Sequence, residues 1–543
     1  MPNLTPSPTR NLNRLRLGET GLGLVLGGVS GGLLALAQPA IGIPALFFLA
    51  FFPVWSVLKM GLRGPRLWWL GISAAFVYFL ITFAWLWGAW PLDQLGITNH
   101  WAASGLLLLA ELVLILPFLP LWGLAFWLNN KFDSAFNWPS AIIFPALFTW
   151  FEYLRAWLPS LILKGTDTPL GGYWTIGNPA YALHDSAVWL ALSSVVGIYG
   201  VLFMALVAGV ILFQLYHLKR WRFFWGLAGL LLLSIYLPVA KPAKTGQPVS
   251  ASILQTQSAS QPTINVRQEL ADLNRQIEGL NQLAKQTSAK QLIVLPENGN
   301  FFNKLSRLQN TAEVSRWFAR LFPAGATIVD NGIYARQTGT YSRTIILDSQ
   351  SGIKNYYDKY LITPGAEYLP ISLRALLNFF GVGKALTEDY GLKAGPGGPL
   401  AIGAAEQIGL IPLVCSDLYA PSLTRAASNN QAEVITVQTS YAFVRGSTSL
   451  AKNSIAAAQF RAAENGRYLV LASNYGPSAI INDRGRVIAS TNNSDWQLLT
   501  EEIITIKSKT LYNTHGDMPI LLGCLGVLVI GIFSRPRRHD KNH

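Results

Sequence analysis

Long apolar runs are the feature that most constrains this chain. A helix needs about 20 mostly apolar residues to cross the hydrocarbon core of a bilayer, which is about 30 Å thick. The sequence contains seven such runs before residue 242 and an eighth near its end, so residues 1–241 are predicted to be a polytopic α-helical membrane domain and residues 516–543 a final transmembrane helix with a basic tail. The predicted spans lie near residues 19–38, 40–58, 67–90, 101–128, 139–157, 186–214, 222–240 and 518–534.

Basic residues predict the orientation of these spans, because cytoplasmic loops of membrane proteins carry an excess of Lys and Arg. The inside loops then contain Arg10, Arg14, Arg16, Lys59, Arg63, Arg66, Lys131, Lys219, Arg220, Arg222, Arg535, Arg537, Arg538 and Lys541, whereas the short outside loops contribute essentially Lys164. Both termini are predicted to be cytoplasmic and residues 242–515 extracytoplasmic. The net charge of +14 is therefore explained by basic residues in the predicted cytoplasmic loops. The cations form no periodic face of the kind that binds nucleic acid.

The first apolar run also permits a second interpretation, as a cleaved signal peptide. Ala35-Leu36-Ala37 resembles the small-residue site at which such peptides are cut. Removal of residues 1–37 would leave the rest of the predicted topology unchanged.

Residues 242–515 contain no run apolar enough to span a bilayer, and they alternate between strand and helix patterns. This mixture predicts a layered α/β domain. The predicted strands are 251–257, 326–335, 408–417, 432–440, 468–474 and 478–490, one that begins at 291 and ends at Pro296-Glu297, and two within 344–370 around a turn at Ser351-Gly352. Helices are predicted at 266–288 and at 447–465, and the second of these ends in an Asn465-Gly466 cap.

Three residues of this region suggest catalysis when they are considered together. Glu297 and Cys415 each follow an apolar strand, at the end where sites open in layered α/β folds. Considered singly, each residue has an ordinary structural interpretation. Glu297 would be a surface turn or helix cap, Lys359 would be a solvated partner of Asp358, and Cys415 would be an inert core cysteine. With only two cysteines in the chain, a disulfide framework is excluded. A thiol nucleophile needs a base and a group that stabilises the oxyanion, and these side chains supply both.

The same residues resemble the catalytic triad of the nitrilase (carbon-nitrogen hydrolase) superfamily. Glu297 follows Leu-Pro, Lys359 lies in YDKYLITPGAEYLP, and Cys415 lies in PLVCSD, in the order of the superfamily. Residues 364–370 match its Pro-x-x-Glu-Tyr-x-Pro motif and include a second glutamate, Glu367. A domain of this kind between seven spans and one more resembles the apolipoprotein N-acyltransferase family over nearly the full chain. Further similar segments are WFEYLRAWL (150–158), VVGIYGVLFM (195–204), RAAENGRYLVLASNYGPS (461–478) and LYNTHGDMP (511–519).

The resemblance implies an extracytoplasmic nitrilase-like domain, an α-β-β-α sandwich, at the bacterial inner membrane. It implies transfer of an acyl chain from a phospholipid to the α-amine of the N-terminal diacylglyceryl-cysteine of a lipoprotein. Glu297 is then the general base, Lys359 stabilises the oxyanion, Cys415 is the nucleophile that carries a thioester, and Glu367 is a supporting carboxylate. No cofactor or metal is implied, because the donor ester is already activated. The implied partners are the phospholipid, the lipoprotein and the membrane, with no nucleic acid and with a monomer favoured.

The chain departs from the family pattern in three places. Ser416-Asp417 follows the nucleophile where the family usually has Tyr-Glu, and Ser440-Tyr441-Ala442-Phe443 replaces a typical Asn-Asp-Ala-Trp segment. These changes predict an intact triad inside an altered substrate-facing shell, which affects the choice of acceptor and donor. Residues 161–185 are also unlike the corresponding family segment.

Two other functions remain open at this level. One is a membrane-anchored amidase or hydrolase of the nitrilase type that acts on a soluble carbon-nitrogen substrate, and transfer to water would distinguish it. The other is a non-enzymatic membrane protein whose nitrilase-like domain binds lipid or a partner. Glu111, Glu152 and Arg155 are predicted to make helix-pairing or headgroup contacts, and Cys524 is predicted to face lipid or pack in the eighth span.

Overall fold

The structure is a computed structural model that describes residues 8–93, 96–133, 136–237, 246–258, 266–286, 290–379, 391–397, 408–430, 432–492 and 495–533. The part before residue 238 is helical. Its helices are α1 (Pro8–Ala37), α2 (Leu46–Leu49), α3 (Phe52–Lys59), α4 (Arg66–Thr82), α5 (His100–Ile115), α6 (Leu119–Phe132), α7 (Ser140–Arg155), α8 (Leu158–Ile162), α9 (Ala187–His217) and α10 (Trp221–Tyr236).

Each of the eight predicted apolar runs contains helical structure. Among the described residues, three segments are long and apolar enough to cross a membrane, namely Arg66–Ala89, His100–Phe132 and Ala187–His217. Shorter apolar helices occupy Gly21–Ala37, Leu46–Lys59, Trp221–Tyr236 and Met518–Phe533. These helices are compatible with a membrane domain, and the number of crossings stays a prediction.

Small residues allow the apolar helices to approach closely, as is common where helices pack in lipid. A Cβ atom on Gly27 of α1 would lie 2.4 Å from the carbonyl oxygen of Leu70 on α4, and one on Gly31 would lie 2.1 Å from that of Ala74. Nothing larger than glycine fits at either position without moving the backbone. α1 is therefore packed along α4.

The part after residue 245 is the α/β domain, followed by the last apolar helix. Its strands are β1 (Pro248–Gln255), β2 (Gln291–Val294), β3 (Ala326–Arg336), β4 (Gly339–Asp348), β5 (Gly352–Asp358), β6 (Leu410–Val414), β7 (Val434–Ser440), β8 (Tyr468–Asn474), β9 (Ala479–Ile481), β10 (Val487–Ser490) and β11 (Gln497–Ile504). Its helices are α11 (Val266–Gln286), α12 (Phe301–Leu308), α13 (Thr311–Leu321), α14 (Ile371–Phe379), α15 (Pro421–Asn429), α16 (Thr448–Asn465), α17 (Leu511–His515) and α18 (Met518–Phe533).

The strands form two sheets that face each other. One sheet has the order β11-β1-β2-β3-β4-β5, and the other has the order β10-β9-β8-β7-β6. Buried residues of both sheets, such as Val294, Val329, Val414 and Val470, form one core between them. α11, α12 and α13 cover the outer face of the first sheet, and α15 and α16 cover that of the second. The domain is therefore an α-β-β-α sandwich.

The layer formed by α15 and α16 also contacts the apolar helices. Ala456, Ala457 and Phe460 of α16 share a continuous buried core with residues of α9 and α4. The ring of Tyr181, which precedes α9, lies 5.6 Å from the ring of Phe460, centroid to centroid. One face of the sandwich thus rests on the helical part of the chain.

A kink in α9 accommodates this contact. Gly197 has φ 66° and ψ −178°, which breaks the helical backbone, and a left-handed φ of this kind favours glycine. The break frees the N–H of Ile198, which donates to Oε1 of Glu464 on α16 at 2.9 Å. A Cβ on Gly197 would lie 2.3 Å from the ring of Tyr512. The kink therefore joins α9, α16 and the segment that leads into α18.

The predicted strands and helices are found in position with shifted ends, except that the single strand predicted at 478–490 is two strands, β9 and β10, separated by a turn. α16 ends at Asn465, and Gly466 has the left-handed φ of 58° that the cap requires. The strand predicted at 408–417 ends instead at Val414, because Cys415–Tyr419 forms a turn of 3-10 helix. The sequence analysis missed β11, the helices α12 to α15 and the short helix α17. The described residues of the predicted C-terminal span form α18, which packs against α7, where Trp150 Nε1 donates to the carbonyl of Leu521 at 3.0 Å.

Candidate active site

The predicted site residues follow three different strands. Glu297 lies three residues beyond β2, Lys359 directly follows β5, and Cys415 directly follows β6. β2 and β5 belong to one sheet and β6 to the other. The expectation that Glu297 and Cys415 lie at the C-terminal ends of strands is confirmed, and the facing sheets bring these ends together.

A buried ion network connects three of the predicted residues. Lys359 Nζ donates to Oε1 of Glu297 at 3.1 Å and to Oε1 of Glu367 at 2.9 Å. Lys359 is 1% exposed and Glu297 is 5% exposed. The other carboxylate oxygen of Glu367 accepts the backbone N–H of Thr363 at 2.6 Å. The lysine is therefore fixed between two carboxylates away from bulk water.

Burial and charge set the protonation of this network. Burial raises the pKa of Glu297 above its usual value, although the neighbouring Lys359 ammonium opposes the shift. Burial by itself lowers the pKa of Lys359, but the carboxylates of Glu297 and Glu367 outweigh that effect and hold the pKa well above its usual value. Lys359 is consequently a permanent cation in this site.

Cys415 occupies a strained backbone position beside the network. It is the first residue of the 3-10 turn, and its φ of 47° lies in the left-handed region that non-glycine residues rarely adopt. The Glu297 carboxylate and the Thr439 hydroxyl are polar neighbours that act on the pKa of its thiol in opposite directions. Burial and the charge of Glu297 raise the pKa of the thiol to about 12, so the resting side chain is neutral.

Ser416 and Asp417 hold the cysteine turn, Cys415–Tyr419, against the lysine segment, residues 357–370. Asp417 Oδ1 accepts the N–H of Leu361 at 2.8 Å, and Oδ2 accepts the hydroxyl of Tyr357 at 2.9 Å and the N–H of Val414 at 3.1 Å. Ser416 Oγ donates to the carbonyl of Leu361. Asp417 is fully buried, so the prediction that it belongs to a substrate-facing shell is wrong. Three donors already occupy its carboxylate.

The second departure contacts the apolar helices. Ser440 Oγ accepts from Nδ2 of Asn474 at 3.0 Å, and Tyr441 is 1% exposed within a cluster that includes Trp85. Phe443 is partly exposed, and its ring lies 6.4 Å from that of Trp85. Tyr441 is therefore a packing residue, and only Phe443 presents a face outward.

Residues 161–185 connect the helices to the site, which the sequence analysis did not foresee. Thr175 Oγ1 donates to the carbonyl oxygen of Tyr419, the last residue of the cysteine turn, at 2.6 Å. The rings of Tyr173 and Tyr360 lie 5.8 Å apart. Tyr368 Oη donates to the carbonyl of Leu163 at 2.6 Å. The loop thus contacts both the cysteine turn and the lysine segment.

Gln438 is a further residue that the sequence analysis missed. Its Nε2 donates to the carbonyl of Leu295 at 2.6 Å, and its Oε1 accepts from the hydroxyl of Thr344 at 2.6 Å. These bonds cross between the two sheets beneath Glu297. A polar amide inside the buried strand VITVQTS was the signal, because buried polar groups need partners. Among the described residues, no group of three or more His, Cys, Asp or Glu is placed to hold a metal ion.

The charged residues predicted near the spans pair with each other or with tryptophan. Glu152 accepts from Arg155 Nε at 2.9 Å and from Trp122 Nε1 at 2.8 Å. Glu111 accepts from Trp87 Nε1 at 2.9 Å. The bond to Trp122 on α6 is a contact between helices for Glu152, and the bond to Trp87 connects Glu111 of α5 to the turn after α4, whereas the Glu152–Arg155 pair lies within α7. Cys524 is buried as a packing residue.

Comparison with known proteins covers nearly the whole chain. A model of the carbon-nitrogen hydrolase family matches residues 251–507, and a model of the apolipoprotein N-acyltransferase N-terminal domain matches residues 30–211. The apolipoprotein N-acyltransferase of Gloeobacter violaceus is 27% identical over 95% of this chain and 96% of its own length. That of Shewanella oneidensis is 23% identical over the same shares. An amidase of known structure from Nesterenkonia sp. aligns with a TM-score of 0.35 and 17% identity, over 51% of this chain and 97% of the amidase.

Both family matches and the full-length relatives agree with the arrangement of the two parts of the chain. The helical part carries the match specific to the acyltransferases, and the sandwich that holds Glu297, Lys359 and Cys415 carries the hydrolase match. This chain therefore carries both domain matches, and it resembles the apolipoprotein N-acyltransferases over nearly its full length.

Proposed function

We propose that this enzyme transfers an acyl chain from a phospholipid to the α-amine of the N-terminal diacylglyceryl-cysteine of lipoproteins, through a thioester on Cys415. The observation that carries the proposal is the buried Glu297–Lys359–Glu367 network beside a neutral thiol, in a chain that matches acyltransferases over 95% of its length. The apolar helices under the sandwich supply the membrane context that both lipid substrates need.

The first half-reaction forms the thioester. The Glu297 carboxylate takes the thiol proton as Sγ of Cys415 attacks the ester carbonyl carbon of the phospholipid. The carbonyl oxygen becomes an oxyanion, and the Lys359 ammonium stabilises it in a site shielded from water. The tetrahedral intermediate collapses with cleavage of the carbon–oxygen ester bond. The alkoxide of the lysophospholipid takes the proton from Glu297 and leaves.

The second half-reaction transfers the chain. The uncharged α-amine of the acceptor attacks the thioester carbonyl carbon, and Glu297 removes a proton from the nitrogen. The carbon–sulfur bond breaks, an amide remains, and the proton returns to Cys415. Glu367 keeps Lys359 in place through both steps, because it accepts a bond from Nζ and is itself held by the N–H of Thr363. This chemistry uses no residue beyond the network and the thiol.

The proposal extends to topology. Residues 1–241 would form a membrane domain with seven spans, residues 242–515 the catalytic domain on the extracytoplasmic side, and residues 516–543 the last span and a basic tail. Both termini would be cytoplasmic, in a bacterial inner membrane. The basic loop residues support this orientation. The close packing of α1 against α4 at Gly27 and Gly31 supports retention of residues 1–37 in the mature protein.

The full-length similarity does not favour the amidase interpretation, because the match includes the helical domain that the acyltransferases have. A transferase is expected to hold its thioester until an amine arrives. A hydrolase would release the chain to water without a lipid acceptor.

Intact-mass spectrometry of the purified chain tests the proposal. Incubation with a defined phospholipid and no acceptor should add one acyl mass that hydroxylamine removes. Cys415→Ala should gain none, whereas Cys524→Ala, which removes the chain's other cysteine, should gain the same mass as the native chain. A diacylglyceryl-cysteine peptide should then discharge the thioester and appear with an amide-linked chain. Absence of the added mass from the native chain would contradict the proposed function.

A further inference from the structure

A polar cavity of about 380 Å³ lies beside the lysine segment. It is bounded by residues 165–168 of the connecting loop, residues 336–340 around the β3–β4 turn, residues 391–393, and Tyr368, Leu369 and Arg374. Three cationic side chains line it, Arg336, Arg374 and Lys393, against one carboxylate, Asp167. The excess of positive charge makes the cavity a suitable place for an anion.

Arg374 gives this cavity an unused donor. Its Nε is buried, and it has no hydrogen-bond partner among the described residues. A buried guanidinium donor without a partner is unfavourable, and an oxyanion in the cavity would supply the acceptor. Arginine is suited to phosphate because its planar group presents several donors to neighbouring oxygens.

The surroundings of the cavity are apolar on one side. Ile371 and Leu373 of α14, which flank the cavity wall, are 45% and 39% exposed. The backbone N–H of Ile371 donates to the carbonyl of Lys164 at 2.8 Å, so α14 is fixed where the chain leaves α8. Exposed apolar side chains beside a cationic cavity are the pattern of a surface that contacts lipid headgroups and acyl chains together.

A shallow apolar groove is lined in part by residues 158–163, which directly precede the loop residues at the cavity. It is lined by Val113, Leu114 and Pro117 from one segment and by Leu158, Ile162 and Leu163 from the other. The chain passes directly from Leu163 at this groove to Gly165 at the cavity. The groove and the cavity are therefore lined by neighbouring residues of one segment, and the groove, with free space of about 10 Å³, would have to open to hold an acyl chain.

The cavity also shares a segment with the catalytic network. Ile362 and Tyr368 line it, and between them Thr363 and Glu367 are hydrogen-bonded to each other. Glu367 in turn accepts from Lys359. An anion in the cavity would thus contact the segment that positions the lysine.

We propose that this cavity binds the phosphate of the donor phospholipid, with Arg374 and Lys393 as its principal ligands. The inference rests on the proposed function, and it assigns the donor headgroup a position. The acceptor's diacylglyceryl-cysteine has no phosphate, so the site acts in the first half-reaction only.

The test compares two acyl donors in single-turnover acylation of the full-length protein, followed by intact mass. One donor is a phospholipid in detergent micelles, and the other is the short-chain soluble ester p-nitrophenyl butyrate, which has no phosphate. Arg374→Gln and Lys393→Gln should each slow acylation by the phospholipid by about tenfold and leave acylation by the soluble ester at the native rate. Arg374→Lys should recover part of the loss because it keeps the charge. Arg320→Gln, an exposed arginine on α13 that does not line the cavity, is the matched control and should change neither rate.

Other outcomes overturn the inference. Equal slowing with both donors would mean that Arg374 only supports the fold, and no slowing with either would mean that the cavity is unused. An effect of inorganic phosphate on the soluble-ester rate that Arg374→Gln abolishes would identify a site for the free ion. If the native chain reacts with the soluble ester and never with phospholipid, the proposed function itself fails. Failure of the cavity variants alone leaves the function in place.

Discussion

Lys359 Nζ lies 3.1 Å from Oε1 of Glu297, although the two residues are 62 positions apart in the sequence. The contact pairs the only lysine of the network with the carboxylate that also reaches the thiol of Cys415. A neighbouring cation lowers the pKa of a carboxylate and so weakens it as a base, unless burial raises the pKa by more. Burial does so here, since the pKa of Glu297 is raised despite Lys359.

Acylation of Cys415 should therefore depend on pH through Glu297. The reactive form is the carboxylate, and its pKa is raised above the ordinary 4.5, so the rate should fall as pH falls through a midpoint above 4.5. The thiol pKa of about 12 adds no second step near neutrality. The measurement is the single-turnover acylation rate with p-nitrophenyl butyrate across pH. Glu297→Gln should be slower by about 10²–10⁴-fold and lose the step. A midpoint near the ordinary thiol pKa of about 8.5 that survives in Glu297→Gln would instead indicate direct ionisation of the cysteine.

Glu367→Gln should weaken the enzyme less than Glu297→Gln. The amide removes one of the two carboxylates that raise the pKa of Lys359, and its single oxygen cannot serve both Lys359 and Thr363. We expect acylation to slow by about tenfold, from loss of one charge-assisted hydrogen bond. Glu278→Gln, an exposed glutamate on α11, serves as the control in the same assay. A Glu367→Gln variant as slow as Glu297→Gln would show that Glu367 also exchanges protons.

Thr175→Val should affect the cysteine turn, although Thr175 itself lies in the connecting loop. It removes the hydroxyl that donates to the carbonyl of Tyr419 and costs about 1 kcal/mol in the free energy of unfolding. We expect slower acylation of Cys415 at an unchanged pH midpoint, and recovery in Thr175→Ser. The exposed Thr514, whose hydroxyl donates only locally to the carbonyl of Thr510, gives the control Thr514→Val. Native acylation rates in Thr175→Val would exclude a positioning role for the loop.

Gly197→Ala should destabilise the folded chain. The new Cβ would meet the ring of Tyr512 at 2.3 Å and would sit at a left-handed φ, so we expect a loss of about 1–3 kcal/mol from overpacking. Gly226→Ala on α10 is the matched control, because a Cβ there meets nothing within 4 Å. Thermal unfolding of the detergent-solubilised protein, followed by tryptophan fluorescence, provides the comparison. Equal midpoints for the two variants would show that the kink tolerates a side chain.

The sequence by itself determined the elements that depend on local pattern. Apolar runs marked the helices, and the strand at 468–474 and the Gly466 cap were predicted to the residue, since strand alternation and a left-handed cap are properties of neighbouring residues. The choice of Glu297, Lys359 and Cys415 as candidate site residues came from residue types next to strand ends and from a motif, which are also local features of the sequence.

The tertiary structure alone decided what those residues touch. Asp417 was predicted to face substrate, but its partners Leu361 and Tyr357 lie 56 and 60 positions away and bury it. Thr175 reaches Tyr419 across 244 positions, and the cavity is built from four separate segments. Contacts over such separations leave no periodic trace in the chain, because they depend on how whole layers dock and not on the conformation of adjacent residues.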